Sequence, residues 1–190
     1  MSAREGTRVN RDELAGTWSV HDVTVALRDR DAAGIREAVA GLDRGGRDLS
    51  ALVPGDAAEG PAIVVEIQPA GGMTMTIHRS MRPDLPATMT IRAAIRWALN
   101  GDQMTTEADP KSLTVGVEIE GGVGLSGEPL AEAKRKTAEI EAGALQGMRG
   151  DPLWNKPNLV TVLHTGPRTF LTRGSVGNLM LHVREDATSD

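Results

Sequence analysis

The sequence predicts a mainly β protein, an up-and-down antiparallel β-barrel with two accessory helices. Three observations carry this. From Ala87 to Leu99 the chain alternates without a break, with Met89, Ile91, Ala93, Ile95, Trp97 and Leu99 on one side and Thr88, Thr90, Arg92, Ala94, Arg96 and Ala98 on the other. A period of two gives each set its own face of a pleated strand. Asn100-Gly101 then ends the run, and this dipeptide is a strong hairpin signal. Finally, short alternating segments follow one another with tight turns and no repeating βαβ unit. Successive hairpins of this kind are best closed on themselves, because closure removes exposed sheet edges.

The elements follow in order. Met1 to Arg11 is polar and reads as a tail, as does the chain from 186 to 190. Ser19 to Leu27 is rich in β-branched residues and reads as the first strand. Between Asp29 and Gly46, the spacing of Ile35, Val39 and Leu42 predicts a short amphipathic helix, opened by an Asp cap and closed by Gly45-Gly46. Arg47 to Gly60 reads as a loop, with room for one helical turn between Leu49 and Val53. Ala62–Ile67 is the next strand, Pro69–Gly72 a turn and Met73–Arg79 the returning strand. Met73, Met75 and Ile77 share one of its faces. After a connection at Arg82–Pro86 comes the long strand. Gln103–Ala108 follows, then Asp109-Pro110 as a turn, then a second alternation at Leu113, Val115, Val117 and Ile119.

Gly121 to Gly127 ends the meander and has no phosphate-loop ending. Pro129 to Met148 is the clearest helix, with Pro in its first turn and Ala, Glu, Lys and Arg throughout. Its apolar stripe of Ala133, Thr137, Ile140, Ala144, Leu145 and Met148 suits a helix that plugs a barrel end or covers an outer wall. Strands resume at Asn158–His164, Arg168–Arg173 and Asn178–Arg184. About nine strands and two helices result, in a single domain spanning 1–190.

Composition narrows the function. The net charge of -5 disfavours nucleic acid as the main partner. No apolar run approaches a membrane span. There is no cysteine, hence no thiolate nucleophile, disulfide or cysteine metal site. The polar N-terminus has no signal-peptide core, which points to a cytoplasmic protein. With no tyrosine, one phenylalanine and three tryptophans against eight methionines, the core must be filled by aliphatic and thioether side chains. Methionine fills gaps, and it also lines cavities that accommodate irregular apolar shapes.

Gly16-Thr17-Trp18, at the entrance to the first strand, resembles the Gly-x-Trp signature of lipocalins and their fatty-acid-binding relatives. The resemblance implies that Trp18 closes the narrow end of a barrel and that an arginine near the last strand packs across it. Arg184 is the first candidate for that arginine and Arg173 the second. The helix after the first strand is similar to the lid of fatty-acid-binding proteins, and the late helix to that of bacterial lipocalin-like domains. Three features depart from the pattern: no acidic-tyrosine motif, no helix after the last strand, and no secretory signal or disulfide.

These readings suggest a protein that holds a bulky hydrophobic small molecule without a cofactor or metal. The wall facing it would comprise Met73, Met75, Ile77, Met89, Ile91, Trp97, Val115 and Val117, with Arg92 and Arg96 outside unless the faces are reversed. The alternative is a cofactor-independent cyclase. Small barrels similar to lipocalins serve as cyclases in microbial polyketide pathways, Diels–Alder cyclases among them, and orientation alone can lower such a barrier. A third reading is a barrel filled by its own side chains. No motif identifies catalytic residues. Glu66, set in an apolar run, and His164 and His182, in the closing strands, are the candidates for proton transfer.

Overall fold

A computed structural model describes residues 9–44, 52–53, 62–82, 85–119, 128–151, 154 and 156–185. The one-turn helix α1 (Arg11–Leu14) leads into β1 (Gly16–Asp22). A second single turn, α2 (Thr24–Leu27), and the three-turn α3 (Ala32–Asp43) follow. Next come β2 (Ala62–Ile67), β3 (Gly72–Arg82), β4 (Leu85–Asn100), β5 (Gln103–Ala108) and β6 (Thr114–Ile119). The long helix α4 (Glu128–Gly150) precedes β7 (Asn158–Thr165), β8 (Thr169–Gly174) and β9 (Leu179–Arg184).

The strands form an antiparallel barrel. Pairings run β1–β2–β3–β4–β5–β7–β8–β9 and return from β9 to β1, so eight strands close the ring. The ninth, β6, continues the line of β5. Both lie along one edge of β4, β5 opposite Ile95–Asn100 and β6 opposite Ala87–Arg92, with a five-residue excursion at 109–113 between them. The long strand is therefore the element that serves both the barrel and a three-stranded ribbon of β3, β4 and β6 projecting beyond its rim.

Two differences from the sequence expectations have local causes. The first strand ends at Asp22 rather than running to Leu27, because Asp22 Oδ1 accepts the Thr24 N–H at 2.9 Å and turns the chain into α2. The accessory helices number four among the described residues, since two single turns join the two that hydrophobic spacing reveals. A helix of one turn is too short to display that spacing. The cap of α3 is Asp31, whose carboxylate accepts the Gly34 N–H at 2.7 Å. Gly45-Gly46, the expected loop at 47–51 and 54–60, and Gly121–Gly127 lie outside the described residues.

Helix α3 covers the outside of the barrel. Ile35, Ala38, Val39 and Leu42 bury against the outward residues Leu171, Leu179, Leu181 and Val183 of β8 and β9. Helix α4 instead packs on the ribbon. Leu145 and Met148, with Trp154 beyond the helix, meet Ile77, Met89, Ile91, Leu113 and Val115 on the face that continues the barrel's interior. Glu141 of α4 accepts the Val117 N–H at 2.8 Å, satisfying a donor on the edge of β6 that faces away from β4. No described helix is long and apolar enough to cross a membrane.

Candidate functional site

One end of the barrel is sealed. Trp18 is fully buried there, and its indole N–H donates to the Leu14 carbonyl at 2.9 Å. The Arg184 guanidinium lies 4.2 Å from the Trp18 ring centroid. It also donates to the carbonyls of Ala15, Glu13 and Pro167 at 3.1, 3.3 and 3.0 Å. This is the arginine–indole contact expected for Arg184. Arg173 is exposed on β8 and takes no part. Gly16 permits the approach: its φ is +138°, and a Cβ there would stand 2.6 Å from Arg184 Nη1. A second indole, Trp97, donates its N–H to the carbonyls of Gln68 and Gly72, with the Arg11 guanidinium 4.8 Å from its ring. Val9 and Leu14 belong to the same buried cluster as both indoles.

Above this floor the barrel holds a chamber of about 320 Å³. The described side chains leave this volume open. The wall from β1 to β4 is wholly apolar: Val20, Ile63, Val65, Ile67, Met73, Met75 and Ile95. The wall from β5 and β7–β9 mixes Met104, Ala108, Val160, Phe170 and Met180 with Thr106, Asn158, Thr172 and His182. Trp154 and Lys156, between α4 and β7, border the chamber at the end opposite the two sealing indoles. Among the described residues, Lys156 is the only lining residue that carries a permanent charge, and none of them brings a carboxylate to the chamber.

Among the described residues of the strand wall, His182 is the one titratable group. Its ring stacks on Phe170 with centroids 3.9 Å apart and planes 10° from parallel, and Phe170 meets Trp18 edge-on. His182 Nε2 lies 3.3 Å from Thr172 Oγ1, while Nδ1 has no hydrogen-bond partner. Burial away from water, reinforced by the nearby His21, pushes its pKa down to about 3. The imidazole is therefore neutral near pH 7.

The other proton-transfer candidates are elsewhere. Glu66 is exposed on the outer face of β2. His164 faces outward and meets Asp43 of α3 at 2.7 Å. A bulge between Val162 and His164 breaks the alternation of β7, turning His164 away from the interior and separating it from His182. Burial acts to raise the Asp43 carboxyl, but hydrogen bonds with His164 and from the Arg168 N–H bring its pKa below the ordinary value.

Of the residues proposed to face a ligand, the structure brings Met73 and Met75 into the chamber. It places Ile77, Met89, Ile91 and Val115 under α4 on the ribbon, and Trp97 in the floor. Val117 shares the ribbon, its N–H held by Glu141. Arg92 and Arg96 are exposed. Sequence reasoning missed Val20, Val65, Met104, Phe170 and Met180. Their signal was phase: Val20 is two residues from Trp18, and Met180 and His182 lie four and two from Arg184, so each shares a face with a residue already placed inside. No protein-family model matches the chain, and no curated protein matches it either.

Proposed function

We propose that this protein binds an apolar small molecule inside its barrel. The observation that carries the reading is the 320 Å³ chamber, closed below by paired indoles and lined mostly by aliphatic, thioether and aromatic groups. Cavities of this kind and size are typical ligand sites, and the volume is about twice the roughly 150 Å³ that accommodates benzene. Apolar burial at ~25 cal/mol per Å2 supplies the affinity, and the few polar groups on one wall set orientation.

The test is titration of the full chain with naphthalene and with linear polyenes, followed by tryptophan fluorescence, since Trp154 borders the chamber. Saturable binding is expected in the wild type and its loss in Met75→Trp, which fills the chamber from β3. A wild type that binds none of these probes overturns the reading.

A second reading rests on the same enclosure. The neutral Thr172–His182 pair on the chamber wall can hydrogen-bond a carbonyl conjugated to a dienophile while the walls fold a polyene. Incubation with such a polyene and mass-matched chromatography distinguishes the readings, because a cyclised isomer supports catalysis and unchanged compound supports carriage.

A further inference from the structure

The two walls of the chamber are chemically unlike, and the difference constrains what fits between them. Among the described residues of the strand walls, the uncharged polar groups, Thr106, Asn158, Thr172 and His182, come from β5 and β7–β9, and none from β1–β4. Two of them, Thr172 and His182, touch each other and are both buried. Neither is well satisfied. The Thr172 hydroxyl has only long contacts, 3.5 Å to the Met180 carbonyl and 3.3 Å to His182 Nε2. His182 is 8% exposed and its Nδ1 has no partner. Buried polar atoms are rarely left poorly paired; Nδ1 is itself shut off from the chamber, so the Thr172 hydroxyl, with its long contacts, is the member of the pair left with bonding capacity for a ligand. Around this pair, the chamber presents four methionines, Met73, Met75, Met104 and Met180, and the Phe170 ring. Thioethers favour the edges of aromatic rings.

We propose, building on the ligand-binding reading above, that the chamber selects a neutral two-ring aromatic molecule bearing a hydroxyl, its rings among the methionines and its hydroxyl against Thr172 and His182. A hydroxyl both donates and accepts, so it completes the pair whichever ring nitrogen of His182 carries the proton. A ketone accepts only. A carboxylate is disfavoured at this depth, because the imidazole beside it is uncharged and Lys156, the sole lining cation among the described residues, lies at the chamber border.

Three probes of matched shape test this with the full chain: naphthalene, 2-naphthol and 2-naphthoate. At neutral pH, 2-naphthol is expected to bind about three- to tenfold more tightly than naphthalene, the gain of one net hydrogen bond, and 2-naphthoate more weakly than 2-naphthol. Thr172→Val, near-isosteric, is expected to bring the ratio of 2-naphthol to naphthalene affinity, measured within the variant, to about one. His182→Leu gives the same within-variant ratio from the other partner, and near-UV circular dichroism reports that each variant is folded. Equal affinity of the wild type for naphthalene and 2-naphthol overturns the proposal while leaving apolar binding intact. Tighter binding of 2-naphthoate overturns it in favour of an anionic ligand held by Lys156. Failure of all three probes instead removes the ligand-binding reading on which it rests.

Discussion

Replacing Arg184 with Met tests how the sealed end is held. The substitution keeps an unbranched apolar stem over Trp18 and deletes the guanidinium. Three backbone carbonyls, of Glu13, Ala15 and Pro167, lose a donor, and the indole loses its cation. A cation–π contact at a partly exposed site is worth about 0.5–1 kcal/mol. Each of the three hydrogen bonds contributes on the order of 0.5–1 kcal/mol, below the full value for charged donors because the side chain is only half-buried and water can reach the freed carbonyls. The sum is about 2–4 kcal/mol, which for a chain of this length lowers Tm by roughly 4–16 °C. Urea unfolding followed by tryptophan fluorescence measures it. A double-mutant cycle with Trp18→Phe isolates the ring contact, with an expected coupling of about 0.5–1 kcal/mol. Arg184→Lys keeps the charge without the planar fork and is expected to recover less than half of the loss. If Arg184→Met unfolds within about 0.5 kcal/mol of wild type, the closed end is held by apolar packing alone and the reasoning fails.

Other outcomes follow from the same geometry. His182 is neutral when folded down to about pH 3, but in the unfolded chain it takes a proton below its ordinary value near 6.5. The stability it contributes is fully present above pH 6.5 and is lost as pH falls toward 3, at up to about 1.4 kcal/mol per pH unit. Urea midpoints from pH 7 to 4 should show that slope, and His182→Leu should flatten it. Asp43→Asn should cost about 1–3 kcal/mol by weakening the bonds to His164 and the Arg168 N–H. Amide exchange should then rise first in α3, and exchange rising uniformly would count against a local anchor. Gly16→Ala strains a positive φ and crowds Arg184, so its Tm should fall with that of Arg184→Met, and the two substitutions should be less than additive.

The chain's local patterns specify much of this molecule. Alternation from Ala87 to Leu99 and the Asn100-Gly101 turn determine a strand and hairpin regardless of context, because side-chain phase and turn dihedrals are local properties. The spacing of Ile35, Val39 and Leu42 determines a helix in the same way, and Trp18 with Arg184 could be paired from two short motifs at opposite ends of the chain. What the sequence could not decide is which inward-phased residues face empty space. Met75 and Ile77 are equivalent by alternation, yet Met75 faces the chamber and Ile77 lies beneath α4. The difference arises because β4 is longer than the barrel is tall, so its surplus length becomes a ribbon that a helix covers. His164 is the parallel case on β7, where an extra residue at a bulge reverses a side chain that simple alternation directs inward. Strand phase is written residue by residue, whereas the chamber exists only where eight strands close, one end is sealed and the described side chains leave the volume open. Those conditions depend on stagger, strand length and helix docking, and only the tertiary structure decides them.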